Sequence, residues 1–180
     1  AFPGGAVEAS DADVPVTAAH GGLEMAYLGC AARELFEEAG LLLLEEGMVS
    51  TSQGIGPRGA PRATWRAFRE ELVGDGADFA AAREVSEHRV AAERYRPLGR
   101  WSTPEWVSMR FETEFFHVHL TDEEAAQLDD VTFASAVQDE ELEVAEWTTP
   151  ADALQRHARA EVFLSAPTIA LLRHLDAHLD

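Results

Sequence analysis

Lysine does not occur in this 180-residue chain; its 14 basic residues are all arginines, set against 33 acidic ones for a formal charge of −19. A surface of that sign repels nucleic-acid backbones and anionic membranes, so neither is an expected partner. Cysteine is almost as scarce. A lone Cys30 excludes an internal disulfide framework and fits a reducing compartment, which points to the cytoplasm. No apolar run approaches the roughly 18 residues of a membrane-spanning helix, and no charged-then-apolar leader opens the chain, so a soluble protein is expected. An initial methionine is missing too: the chain starts "AFPGG", as if inside a structural element, and further residues are expected upstream.

What is present is 46% hydrophobic residues, which suits one globular domain over residues 1–180 with a sizeable core. Residues 1–27 are rich in Gly, Pro, Ala and Asp without a sustained period and read as a loop. From about Leu28 to Ala39 the apolar residues Leu28, Ala31, Ala32, Leu35 and Phe36 recur at helical spacing, and Gly40 is a natural C-terminal cap. Leu41 to Leu44 reads as a short buried strand. After the loop "STSQGIGPRGAPR", two helices are expected over 63–72 and 79–93, joined at "GDGAD". The aromatic and β-branched "WVSMRFETEFFHVHL" predicts a central strand, with shorter ones at 131–137 and 143–147. Thr149 is the expected N-cap, with Pro150 at the first position, of the helix opening "TPADALQRHA", and "APTIALLRHLDAHL" predicts the last helix.

Chemistry concentrates in "RELFEEAG", Arg33 to Gly40, where three glutamates fall within five residues. Glu34 and Glu38 are four apart and share a helix face, and Glu37 neighbours Glu34. Taken alone, the cluster is either the solvated face of an acidic protein, with Arg33 and Glu37 as an ordinary ion pair, or a set of hard oxygen ligands converging on Mg²⁺ or Mn²⁺. The remainder of the pattern favours the second. "RELFEEAGL" matches Arg-Glu-apolar-x-Glu-Glu-x-Gly-apolar throughout and resembles the signature helix of the nudix hydrolases. The upstream half of that signature, a glycine, five residues and then an acid, is supplied by Gly5 and Asp11 in "GAVEASD", just after "FPG". The family usually has seven residues between that acid and the arginine. Here residues 12–32 intervene, and the acid is Asp11 rather than glutamate. This insertion resembles the subgroup that includes the peroxisomal coenzyme A diphosphatases; "RWSTPE", "RFETEFF", "EVAEWTTPADAL" and "LSAPTIALL" extend the likeness over nearly the whole chain.

The resemblance implies an α/β nudix fold, a mixed β-sheet sandwiched between helices, elaborated by an inserted helical pair at about 62–94. It implies a metal-dependent diphosphatase using Mg²⁺ or Mn²⁺ on a nucleotide-type small molecule, coenzyme A or an acyl derivative first. ADP-ribose, NADH, nucleotides, or a non-catalytic nudix-like sensor are the alternatives. Glu37 and Glu38 would be metal ligands, and Glu34 a ligand or the acceptor of the water's proton. Arg33 would orient Glu37, the Gly4 carbonyl would be a further ligand, and Gly5 would let the loop turn close to the helix. Among the acids of the tail, Glu143 is the candidate for an additional catalytic glutamate, and Arg110 for a phosphate grip, with an ion pair to Glu112 or Glu114 as its alternative. The ending "AHLD" is not a peroxisomal tripeptide. A homodimer is compatible with such a chain.

Other features carry less. His117 and His119 share a strand face without a third ligand at zinc spacing. His174 and His178 lack the intervening glutamate of a metalloprotease motif. Cys30 reads as core, Trp101 and Trp106 as buried anchors, and "GIGPRG" lacks the lysine of a phosphate-binding loop.

Overall fold

Four leucines in a row put apolar side chains on both faces of a strand, which is stable only when both faces are covered. Leu41–Leu44 forms such a strand, β1, buried throughout. A turn at Glu45 and Glu46 returns the chain antiparallel as β2, Gly47–Ser50, with Leu41 opposite Ser50 and Leu44 opposite Gly47. The molecule is a computed structural model that describes residues 2–17, 25–56, 62–106, 108–128 and 146–178. The strand expected at 131–137 lies outside the described residues, as do 143–145 of the one expected at 143–147, whose described residues Glu146 and Trp147 are not strand, and as do Glu140, Glu141 and Glu143.

The chain divides into two compact units. The larger comprises Pro3–Pro97 and Phe116–Ala145, the smaller Ala1–Phe2, Leu98–Phe115 and Glu146–Asp180. In the larger unit a helix, α1, spans Met25–Ala39 and starts three residues before the apolar period does. Gly40 at φ 67° ends it, a left-handed conformation that glycine adopts without strain. Helix α2, Arg62–Asp75, lays Trp65 and Phe68 against Phe36 of α1, with ring centroids 6.1 and 5.6 Å apart, and Phe79 completes the group at 6.1 Å. Phe36 is fully buried. Burial of one such ring stabilises by about 1.5–3 kcal/mol, so this cluster is a principal tie between α1 and α2.

The second helix expected over 79–93 is short: α3 covers Arg83–Ser86. Asp78 accepts from the N–H groups of Ala80 and Ala81, which sets a turn in place of a first helical turn. Val90 then pairs in parallel with Val16 and antiparallel with Leu44, drawing the chain away from helix. Strand pairing and burial outweigh local propensity here. Strand β3, Tyr95–Ser102, was not legible in "YRPLGRWS"; it pairs with β4, Glu112–Val118, which is shorter than the expected span 106–120. A five-residue helix, α4, Asp122–Ala126, follows, with Thr121 and Glu124 in a reciprocal cap.

In the smaller unit, helices Pro150–Ala158 and Ala166–His178 pack together. Thr149 caps the first through a 3.1 Å bond from the Asp152 N–H, with Pro150 behind it, as expected. No helix among the described residues is long and apolar enough to cross a membrane.

Candidate active site

Helix α1 carries Arg33 and Glu37 on one ridge and Glu34 and Glu38 on the next. Only Glu37 is partly exposed; Arg33, Glu34 and Glu38 are buried. Arg33 is the hub. Its Nε donates to Asp11 Oδ1 at 2.9 Å and Nη2 to Asp11 Oδ2 at 3.2 Å, a bidentate grip on a fully buried carboxylate. Nη1 donates to Glu34 Oε1 at 2.8 Å and to both Glu37 oxygens at 3.2 and 3.3 Å, while Nη2 also donates to the Ala6 carbonyl at 3.0 Å. One guanidinium therefore joins the N-terminal loop to two of the three signature glutamates. The third is held from the loop side, where the Gly4 N–H donates to Glu38 Oε1 at 3.0 Å.

The electrostatics follow from that packing. Burial opposes the charge on Arg33, but the Asp11 hydrogen bonds and the Glu37 and Glu34 charges outweigh it and hold the guanidinium more firmly protonated than usual. Burial pushes Glu37 up to about 6 in spite of Arg33, with the Glu34 charge adding to the rise. The Cys30 thiol, 3.7 Å from Arg33 Nη2, is pushed up to about 12 by burial and by the Asp11 charge. That makes it an inert core group, as its sequence context suggests.

Glycines let the loop come this close. A side chain at Gly29 would run into the Asp11 carbonyl, a backbone atom with nowhere to move. At Gly5 it would strike the Glu34 carboxylate. Gly29 was missed in the sequence reading, although a glycine in mid-helix, costing about 1 kcal/mol against alanine, is itself a signal of close approach. Arg69 of α2 was missed as well. It donates to the carbonyls of Phe36, Glu37 and Glu38 at 2.7–3.0 Å, and no local spacing could have announced so distant a partner.

Gly4, Gly5, Arg33, Glu34, Glu37 and Glu38 are thus assembled within the larger unit, and the contact made by Gly4 runs through its N–H. Arg110 lies exposed in the connection before β4, in the smaller unit. Of its two expected partners, Glu114 instead pairs with Arg100 at 2.8 Å. Trp106 is 85% exposed and so is no buried anchor. The His117 and His119 rings stand 6.3 Å apart, and no third ligand joins them among the described residues.

Residues 15–175 match the family model described as the NUDT19 Nudix domain. The chain belongs to the nudix hydrolase family. A crystal structure of a nudix hydrolase from Alicyclobacillus acidocaldarius is similar over 98% of this chain and 75% of its own, at 27% identity and a TM-score of 0.64. No curated protein matches the chain. As a nudix hydrolase the protein is a diphosphatase, and its substrate is a small molecule of nucleotide type.

Nudix hydrolases generally work with a divalent metal, and the donor set of α1 suits one. Three carboxylates crowd one guanidinium, hard oxygen donors of the kind such cations prefer, and burial with the Glu34 charge raises Glu37 in spite of Arg33. No three His, Cys, Asp or Glu groups among the described residues stand at ligand geometry, and Arg33 and the Gly4 N–H engage the carboxylates of Glu34, Glu37 and Glu38.

Proposed function

We propose that this nudix hydrolase cleaves the diphosphate of coenzyme A or an acyl derivative. Water's oxygen would bond to one phosphorus as the bridging P–O bond breaks, giving adenosine 3',5'-bisphosphate and the phosphopantetheine half. The observation that carries the chemistry is the single guanidinium of Arg33 gathering Asp11, Glu34 and Glu37 beside a loop-held Glu38. The substrate rests on the long insertion at 12–32 and on the NUDT19 family match.

Bound Mg²⁺ or Mn²⁺ would neutralise the diphosphate and lower the pKa of an attacking water. Glu37 and Glu38 would hold the metal, with the Gly4 carbonyl beside them. Glu34 would join them or take the water's proton, and Arg33 would keep Glu37 oriented. Gly5 leaves room for the Glu34 carboxylate. Arg110 would grip a phosphate, and Glu143 would supply a further acid from outside the described residues. The reading treats residues 1–180 as one catalytic domain, in the cytoplasm, without nucleic-acid or membrane partners. The single cysteine and the charge of −19 support those last points. Assembly as a homodimer would be read from its mass in solution.

The test incubates the protein with Mg²⁺ and coenzyme A, with ADP-ribose in parallel and a Glu38→Gln control. Adenosine 3',5'-bisphosphate released from coenzyme A, and lost in the control, is the expected result. Cleavage of ADP-ribose alone would keep the glutamate roles and overturn the substrate.

A further inference from the structure

The end of α1 is electrostatically awkward. Its last carbonyls present the negative pole of the helix dipole at the same place where Glu37 and Glu38 add two carboxylates. Gly40 turns the chain away there, and its N–H satisfies only the Phe36 carbonyl, at 2.9 Å. Arg69 supplies what is missing. Its Nε donates to Phe36 O at 3.0 Å and Glu37 O at 2.9 Å, and its Nη2 to Glu37 O at 2.7 Å and Glu38 O at 3.0 Å. The guanidinium is half-buried against Gly40, and among the described residues it makes no ion pair with a carboxylate. Its charge goes to the backbone of the very residues whose side chains carry the chemistry. The neighbouring Phe68 stacks on Phe36 and makes a separate, apolar contact between the two helices.

We propose that Arg69 is a positioning residue of the active site: helix α2, part of the inserted segment, holds the backbone of Glu37 and Glu38 in place for metal binding. The inference rests on the metal-ligand roles proposed for those two glutamates. A planar fork that spans three successive carbonyls sets their spacing as well as their charge, which an ammonium cannot do. Loss of the fork lets the last turn of α1 loosen, and the two carboxylates then bind a cation with a larger ordering cost.

The test measures Mn²⁺ dissociation constants by electron paramagnetic resonance, together with kcat and KM, for wild type, Arg69→Met, Arg69→Lys and Phe68→Leu. Arg69→Met should weaken Mn²⁺ binding on the order of 10- to 100-fold, the range for removal of an outer-shell partner, and lower kcat more than it raises KM. Arg69→Lys should fall between it and wild type, and it serves alone if the methionine variant does not fold. Phe68→Leu loosens the same helix without touching the carbonyls, so it should lower the melting temperature and leave Mn²⁺ affinity within about twofold, well short of the outer-shell range. Wild-type affinity in either Arg69 variant would overturn the inference, as would an equal loss in Phe68→Leu. If wild type itself does not bind Mn²⁺, the metal reading fails and this inference with it, an outcome distinct from the others.

Discussion

Arg33 divides its donors among Asp11, Glu34, Glu37 and the Ala6 carbonyl, and with Glu8 at 3.9 Å its charge is shared by four acids. That division leaves Glu37 underserved, which is why burial can push it up to about 6. In the metal-ligand role proposed for Glu37, the proton would compete below that pH with the metal for the same oxygens. Mn²⁺ affinity should therefore weaken roughly tenfold between pH 7.5 and pH 5, as one proton must leave for each metal bound. In the metal-free protein the sign runs oppositely. A carboxylate raised above its unfolded value costs stability at neutral pH, and the cost fades as pH falls through about 6. Titration calorimetry at the two pH values decides the first point; a pH-independent affinity would remove Glu37 from the ligand set. Most of this cluster was legible, because four residues lie on one helix and helical spacing is a local property. That Asp11 grips Arg33 across 22 positions was not read, although the signature pattern had singled out both residues.

At the scale of the element, α1 departs from a good helix sequence at one place, Gly29, and the departure has a reason. The Asp11 carbonyl lies where a Cβ would stand. Gly29→Ala should therefore destabilise by about 1–3 kcal/mol, the usual cost of overpacking, although helix propensity alone would make it more stable by about 1 kcal/mol. Urea denaturation gives the sign directly, and a stabilised variant would refute the close approach. The connection from Phe79 to Arg94 shows the opposite relation between local and distant forces. Helical composition there yields only the short α3 and a three-residue 3-10 turn at Ala92–Arg94, because Asp78 forms a turn and Val90 is recruited by Val16 and Leu44. Strand β3 went unread for a related reason: Pro97 and Gly99 are poor strand formers, and only pairing with β4 makes them extended.

Over the whole molecule the formal charge of −19 opposes any phosphate-bearing substrate. The Debye length shrinks from about 30 Å at 0.01 M salt to about 8 Å at 0.15 M, so added salt screens this repulsion. With saturating Mg²⁺, KM for coenzyme A should fall about twofold or more over that range. A KM that rises instead would mean that metal and arginines reverse the field at the mouth of the site. By itself the sequence determined the family, the helix bearing the glutamates, the glycine that ends it and the sign of the surface. Each of these depends on residues near one another in the chain or on composition, where spacing and charge suffice. Only the tertiary structure decided that Arg69 caps the glutamate-bearing helix, that Gly29 admits the Asp11 loop and that residues 79–93 are mostly not helix. Those outcomes depend on partners tens of residues away, and burial and hydrogen bonding between such partners leave no period in the chain.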